Sequence, residues 1–190
     1  MSNSTSNSTA TEEHETIRRC LDGEPEQYAL LVDRYKAMAY NVAYRMLGDA
    51  DLARDMAQES FISAYEGLEN YQYSAKFSSW LYRIVVNKCK DHLRTVRDTV
   101  LIDEISDIIP AGERTPEQAA SLRQTGEALQ KALNSLPAEY REVIVLKHIE
   151  ELDYQEIADI LGVSVNTLKV RAHRGRERLK ELLRETREMV

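Results

Sequence analysis

Cysteine is close to absent. Only Cys20 and Cys89 occur among 190 residues, far apart and without CxxC or Cys/His spacing, so neither a disulfide framework nor a structural zinc site is suggested, and both are expected to be packed free thiols. With 7 Gly and 4 Pro, the chain also lacks the composition of fibrous or low-complexity proteins. No apolar run approaches the ~18–20 residues of a membrane span. The opening MSNSTSNSTATEEHE has neither a basic leader nor an apolar core, and the chain is expected to stay in the cytoplasm. His14, His92, His148 and His173 form no HxxxH or HExxH pattern, and GxxxxGK[ST], GxGxxG and GxSxG are missing. No metal, no cofactor and no catalysis by the chain itself are therefore expected. A net charge of −7 argues against bulk electrostatic coating of nucleic acid, although a local basic stripe can bind DNA inside an acidic chain.

What is present is the material of a folded, helix-rich protein, 43% hydrophobic and 30% charged, at a length that suits two small domains. Residues 1–11, nearly all Ser, Asn, Thr and Ala, read as a disordered tail. A short helix is expected near 13–22. Tyr28, Leu31, Val32, Tyr35, Met38, Val42 and Met46 recur at three- and four-residue steps and predict a helix ending at Gly48. A second stripe, Leu52, Ala53, Met56, Ala57, Phe61, Ala64, Tyr65 and Leu68, follows a cap at Asp49. The third runs from Phe77 through Trp80, Leu81, Ile84, Val85, Cys89 and Leu93. Periodicity stops over 97–115, where Asp98, Asp103, Glu104, Asp107 and Glu113 with Pro110 and Gly112 read as a flexible acidic linker. Thr115-Pro116-Glu117-Gln118 resembles a capping box, and four helices are expected at about 116–134, 137–148, 153–161 and 165–186. The expected fold is all-α: a bundle over 12–96 and a second helical domain over 116–190.

Residues 154–168 have the anatomy of a helix-turn-helix. Ala158 lets two helices cross closely, Gly162 suits a left-handed turn, Ser164 can cap the second helix, and Ile157, Leu161, Val163 and Leu168 would wedge between them. The helix that follows carries Lys169, Arg171, Arg174, Arg176, Arg178 and Lys180 against Glu177 and Glu181. Leu168, Ala172, Gly175 and Leu179 form its packing face. Asn166, Thr167, Val170, Arg171, Arg174 and Arg178 project from another, which can enter a major groove. A run of charge alone would more often be a solvated helix face; the turn signature in front of it favours DNA.

The block DADLARDMAQESF at 49–61, followed by FSSWLYRIVVNKCKDHLR at 77–94, closely resembles region 2 of the extracytoplasmic-function (group IV) sigma factors. The stretch from LPAEYREVI at 136–144 through Leu179 resembles their region 4. This resemblance implies a bacterial transcription initiation factor that joins RNA polymerase core, reads −35 and −10 promoter elements of stress- or envelope-responsive genes, opens the latter, and is held inactive by an anti-sigma factor. It implies docking on the polymerase clamp helices by Asp51, Asp55, Gln58 and Glu59. It places Tyr71, Tyr73, Lys76, Arg83, Asn87, Lys88, Lys90 and Arg94 at the −10 element, the two tyrosines either stacking on exposed bases or packing in the bundle. Lys147, Tyr154, Asn166, Thr167, Lys169, Val170, Arg171, His173, Arg174 and Arg178 go to the −35 element, with Arg174 suited to a bidentate guanine contact. Gly175 stands where many relatives carry alanine, and a looser recognition helix is expected there. Two rival readings are a dimeric helix-turn-helix regulator on a palindrome and, more weakly, an enzyme.

Overall fold

The computed structural model describes the backbone of residues 3–72, 76–100 and 117–188, and the side chains of residues 11–72, 76–96 and 126–184. Eight α-helices account for the described fold: α1 Asn3–Leu21, α2 Tyr28–Leu47, α3 Ala50–Glu66, α4 Phe77–Val100, α5 Glu117–Asn134, α6 Ala138–Ile144, α7 Tyr154–Leu161 and α8 Val165–Glu188. Short 3-10 turns precede α2 and follow α3, and α6 runs on into a π-helical turn, Val145–Ile149. No strand occurs among the described residues, and the all-α expectation holds.

In the N-terminal half, α2, α3 and α4 pack around Leu31, Val42, Met46, Ala53, Phe61, Phe77, Leu81 and Val85, all buried. Gly48 (φ 79°) ends α2 in the left-handed conformation, and Asp49 caps α3 by accepting from the backbone N–H groups of Asp51 (3.0 Å) and Leu52 (2.8 Å). Helix α1 begins at Asn3, so the expected tail over residues 1–11 is helical from residue 3. The segment that follows explains this. Ile17 and Cys20 are buried, and Glu13, 5% exposed, accepts from the Tyr35 hydroxyl and pairs with Arg34 (3.2 Å). Once one stretch of helix is docked, extending it avoids the nucleation cost, even through Ser and Thr.

Helix α4 continues to Val100, into the stretch expected to be linker; residues 101–116, with the Thr115-Pro116 capping signal and most of the acidic linker, lie outside the described residues. In the C-terminal half, α6, α7 and α8 close over Val143, Leu146, Ile157, Leu168 and Ala172. A smaller cluster of Leu133, Leu136 and Ile144 sits under Leu129 and Leu179.

The halves also pack on each other. Val86 and Cys89 of α4 belong to the same buried cluster as Val143, Leu146 and Ile157, while the rim of the seam is polar. The buried Arg141 guanidinium donates to the carbonyls of Met46, Asn134 and Leu136, and Arg45 donates to Gln130 (3.2 Å). A Cβ on Gly48 would collide with the Asn134 amide nitrogen, so any side chain there would have to displace Asn134. Both cysteines are free and buried, as expected.

Candidate nucleic-acid interface

The helix-turn-helix forms as its sequence requires. Asp153 and Glu156 make a capping box at the start of α7: Glu156 N–H donates to Asp153 Oδ1 (2.8 Å) and Asp153 N–H to Glu156 Oε2 (3.2 Å). The D-x-x-E spacing carried that signal, but sequence reasoning passed over it. Gly162 takes φ 67°, with open space where a Cβ would stand, so its conformation and not crowding selects glycine. Ser164 Oγ accepts from Thr167 N–H (3.1 Å) and caps α8. Ile157 and Leu168 are fully buried between the helices, with Leu161 and Val163 packed alongside.

Helix α8 is seated by its small residues. A Cβ on Gly175 would stand 3.0 Å from Ile144 Cγ1 and 3.4 Å from Tyr140 Cβ. Gly175 therefore marks a close approach of α8 to α6, where the sequence suggested looseness. The opposite face presents Asn166, Thr167, Lys169, Val170, His173, Arg174 and Arg178 to solvent, with Val170 51% exposed despite being apolar. Arg178 pairs with Glu181 (3.1 Å). Arg174 makes no ion pair among the described residues.

Arg171 does not share this face. Its side chain turns inward, 23% exposed, to Glu142 (3.2 Å) and Glu139 (3.5 Å) on α6. The sequence expectation puts it in the groove; in the free chain these two carboxylates hold it, of which Glu142 is nearly inaccessible at 1%. Lys147 is also engaged: its ammonium donates to the Leu152 carbonyl (2.8 Å) and lies 5.2 Å from the centre of the half-buried Tyr154 ring.

On α4, Asn87 and Arg94 are exposed, Arg94 beside Asp91 (3.1 Å). Other polar groups of this helix, and Lys76 just before it, reach the C-terminal half. Lys76 pairs with Glu156 (2.9 Å), Lys90 with Glu142 (3.0 Å), and Arg83 donates to the carbonyls of Asp159 and Ile160 at the end of α7. Tyr82 donates to Glu150 (2.6 Å) and Lys88 pairs with Glu59 (3.5 Å). Tyr71, 5% exposed, packs on Phe77 and Trp80 at ring-centre distances of 5.9 and 5.3 Å. Of the two alternatives for Tyr71 the structure takes packing in the bundle; Tyr73 lies outside the described residues.

Asp51, Asp55, Gln58 and Glu59 are exposed on α3, Asp51 against Arg54 (2.6 Å). Beside them runs an apolar groove of about 720 Å³ lined by Tyr28, Val32, Tyr40, Phe61, Ile62 and Tyr65 among others. Ile62 and Tyr65 are 50% and 43% exposed. Sequence reasoning missed the groove and put Tyr65 in the core stripe. Ile62 and Tyr65, three apart, share a helix face at the edge of that stripe, and hydropathy does not separate a core edge from an apolar surface. Among the described residues no group of His, Cys, Asp or Glu is arranged to hold a metal ion, and no helix is long and apolar enough to cross a membrane.

A groove-ready helix-turn-helix on one helical domain, joined to a second bundle with a polar, basic helix, defines a two-domain DNA-binding protein. Residues 31–99 match Sigma-70 region 2 and residues 126–179 match Sigma-70, region 4. The chain is 38% identical over 179 residues to the ECF RNA polymerase sigma factor SigW of Bacillus subtilis, covering 89% of this chain and 95% of that one. Two solved structures are similar at 26% identity: the sigma factor RpoE of Bartonella quintana in complex with the anti-sigma factor NepR (TM-score 0.69, 84% of this chain and 98% of that one), and CnrH in complex with the cytosolic domain of CnrY (TM-score 0.67, 90% and 96%). The chain belongs to the ECF RNA polymerase sigma factors, transcription initiation factors and not enzymes.

Proposed function

We propose that this sigma factor recruits RNA polymerase core to stress- or envelope-responsive promoters, using α8 for the −35 element and α4 for the −10 element, and that it acts in the cytoplasm. The observation that carries the reading of α8 is its solvent-facing surface of Asn166, Thr167, Lys169, Val170, His173 and Arg174, held out by a capped and glycine-turned helix-turn-helix. Arg174, in no ion pair among the described residues, is the guanine reader; its planar fork matches O6 and N7. Lys147 and Tyr154 sit near phosphates, the Lys147 ammonium keeping donors beyond the one given to Leu152. At the −10 element, Asn87 reads a base edge while Lys76, Arg83, Lys88, Lys90 and Arg94 serve the backbone. Asp51, Asp55, Gln58 and Glu59, together with the apolar groove beside them, form the docking surface for the polymerase clamp helices. Domain limits of 12–96 and 116–190 with the intervening linker fit this division of labour. The structural likeness to a sigma factor solved with its anti-sigma factor supports control by an anti-sigma factor. Run-off transcription with purified core polymerase on genomic fragments tests the reading. Promoter-specific transcripts that need both chain and core are expected; a tight operator footprint by the chain alone, with no association with core, would overturn it in favour of a dimeric regulator.

A further inference from the structure

One buried carboxylate touches both helices assigned to DNA. Glu142, on α6, is 1% exposed and stands between Lys90 of α4, in an ion pair at 3.0 Å to Oε2 without hydrogen-bond geometry, and Arg171 of α8, which donates to Oε1 at 3.2 Å. The two cations differ in what else holds them. Arg171 has a second carboxylate, Glu139 at 3.5 Å, and is only 23% exposed. Lys90 is 38% exposed and has Glu142 as its one ion-pair partner among the described residues. Arg171 is thus fixed to its own half of the molecule, whereas Lys90 crosses from the other half and keeps a path to solvent.

Burial makes the arrangement tense. Desolvation raises the pKa of Glu142 above the usual carboxylate range despite the opposing pull of Lys90 and Arg171. The ionised carboxylate is therefore incompletely compensated, and an external anion on Lys90 meets a competitor that is itself poorly placed. A DNA phosphate is such an anion: a point charge with acceptor oxygens, which an ammonium recognises without demanding fixed geometry.

We propose that Glu142 is an internal stand-in for a DNA phosphate, a positioning residue that seats the recognition helix through one oxygen and withholds Lys90 of the −10 helix through the other until the nucleic-acid backbone displaces it. Its Arg171 contact is permanent, and its Lys90 contact is exchanged. The surrounding seam acts in the same sense, since Lys76 and Arg83 also spend their donors on α7. The inference rests on the assignment of α4 to the −10 element, but not on binding to polymerase.

The test uses the full chain alone and a short fluorescent oligothymidylate, whose bases carry no promoter information. Binding is measured against salt for wild type, Glu142→Gln, and Glu142→Gln with Lys90→Gln. In Glu142→Gln the amide oxygen still accepts from Arg171, but Lys90 is released. The expected result is tighter binding at low salt and a log–log salt slope steeper by about 0.7, the increment for one added phosphate contact on a single strand. Adding Lys90→Gln removes both gains. An unchanged slope in folded Glu142→Gln overturns the proposal, as does a gain that survives Lys90→Gln. Should Glu142→Gln fail to fold, wild type answers by nitrogen-15 NMR of the lysine ammonium groups. The Lys90 signal is expected to be protected from water exchange in the free chain and to move when oligothymidylate is added. A Lys90 signal exchanging like that of the exposed Lys169, and unmoved by the oligonucleotide, rejects the idea. Failure of run-off transcription would reject the sigma-factor reading and leave these measurements standing on their own.

Discussion

Arg141, in the last turn of α6, donates to the carbonyl of Met46, in the last turn of α2, and so ties the C-terminal half to the N-terminal one through a helix end. The same guanidinium also closes off the carbonyls of Asn134 and Leu136, and its Nε finds no acceptor among the described residues. Helix C-terminal carbonyls need donors, and a planar fork with five N–H groups can serve three at once. Burial lowers the Arg141 pKa to about 10. The group remains charged at neutral pH, and what holds it there is the ring of carbonyl dipoles.

Arg141→Ala is accordingly expected to destabilise the chain by about 3 kcal/mol, because it strands buried carbonyls that no water-exposed group can reach. Arg141→Lys should recover only part of this, since one ammonium cannot span three acceptors. Urea unfolding followed by circular dichroism measures both, and a loss under 1 kcal/mol in the alanine variant (about the cost of a single surface pair) would contradict the stapling role.

Cys89 gives a pH-dependent test with a fixed sign. Its thiol is fully buried, and desolvation pushes its pKa up to about 12. A group whose folded pKa is raised holds its proton longer in the native state, so it contributes stability that is complete below the unfolded value near 8.5 and is lost as pH climbs toward 12. Wild type should therefore lose stability faster than Cys89→Ala between about pH 9 and pH 11. Parallel urea midpoints for the two proteins over that window would show that the thiol ionises as freely inside as outside. At pH 8 the native chain should also react slowly with thiol reagents, Cys20 being buried too.

How far the sequence reaches can be judged from particular elements. Stripes at three- and four-residue steps placed α2, α3 and α4 near their observed positions, because amphipathic periodicity is a local code and Gly48, Asp49, Gly162 and Ser164 punctuate it with local chemistry, whereas the start of α1 was missed by about ten residues. The inward turn of Arg171 was invisible for the opposite reason. Its partners Glu139 and Glu142 lie about thirty positions upstream, and nothing in a charge pattern says which cation meets a carboxylate across a tertiary contact. Lys76, Arg83 and Lys90 were legible as a basic helix face, but their engagement with α6 and α7 depends on how two halves dock. Gly175 shows the same limit: propensity alone reads it as a weak point, whereas Ile144 and Tyr140 make it a fitted contact.

The α3 surface predicts how the chain holds polymerase. Asp55 and Gln58 are exposed beside the groove that Ile62 and Tyr65 flank. Changing Asp55 and Gln58 together to lysine should abolish co-elution with core by repulsion from a basic clamp, with helical content intact. Ile62→Ala with Tyr65→Ala should weaken core binding by about 2 kcal/mol, the scale of an aromatic anchor in an apolar groove. If the double alanine variant binds core like wild type while the lysine variant does not, the surface is electrostatic only and the groove is not part of it.

Arg174 and Arg171 stand one turn apart on α8, and they should fail in different ways. Arg174 is exposed and makes no ion pair among the described residues, so Arg174→Ala should leave stability within about 0.5 kcal/mol of wild type while costing ~1–3 kcal/mol at the −35 element and relaxing one base preference. Arg171 is tied to two carboxylates of α6. Arg171→Ala leaves Glu142 buried with only the interdomain Lys90 beside it, and the expected loss is about 2–3 kcal/mol of folding stability. Its effect on DNA follows from a loosened α8, so it should fall alike on cognate and scrambled −35 sequences. Holoenzyme binding to the two duplexes, set beside urea unfolding of the same variants, separates the roles. A base-specific loss in a fully stable Arg171→Ala protein would put that guanidinium back in the groove and show that the inward conformation is released on DNA.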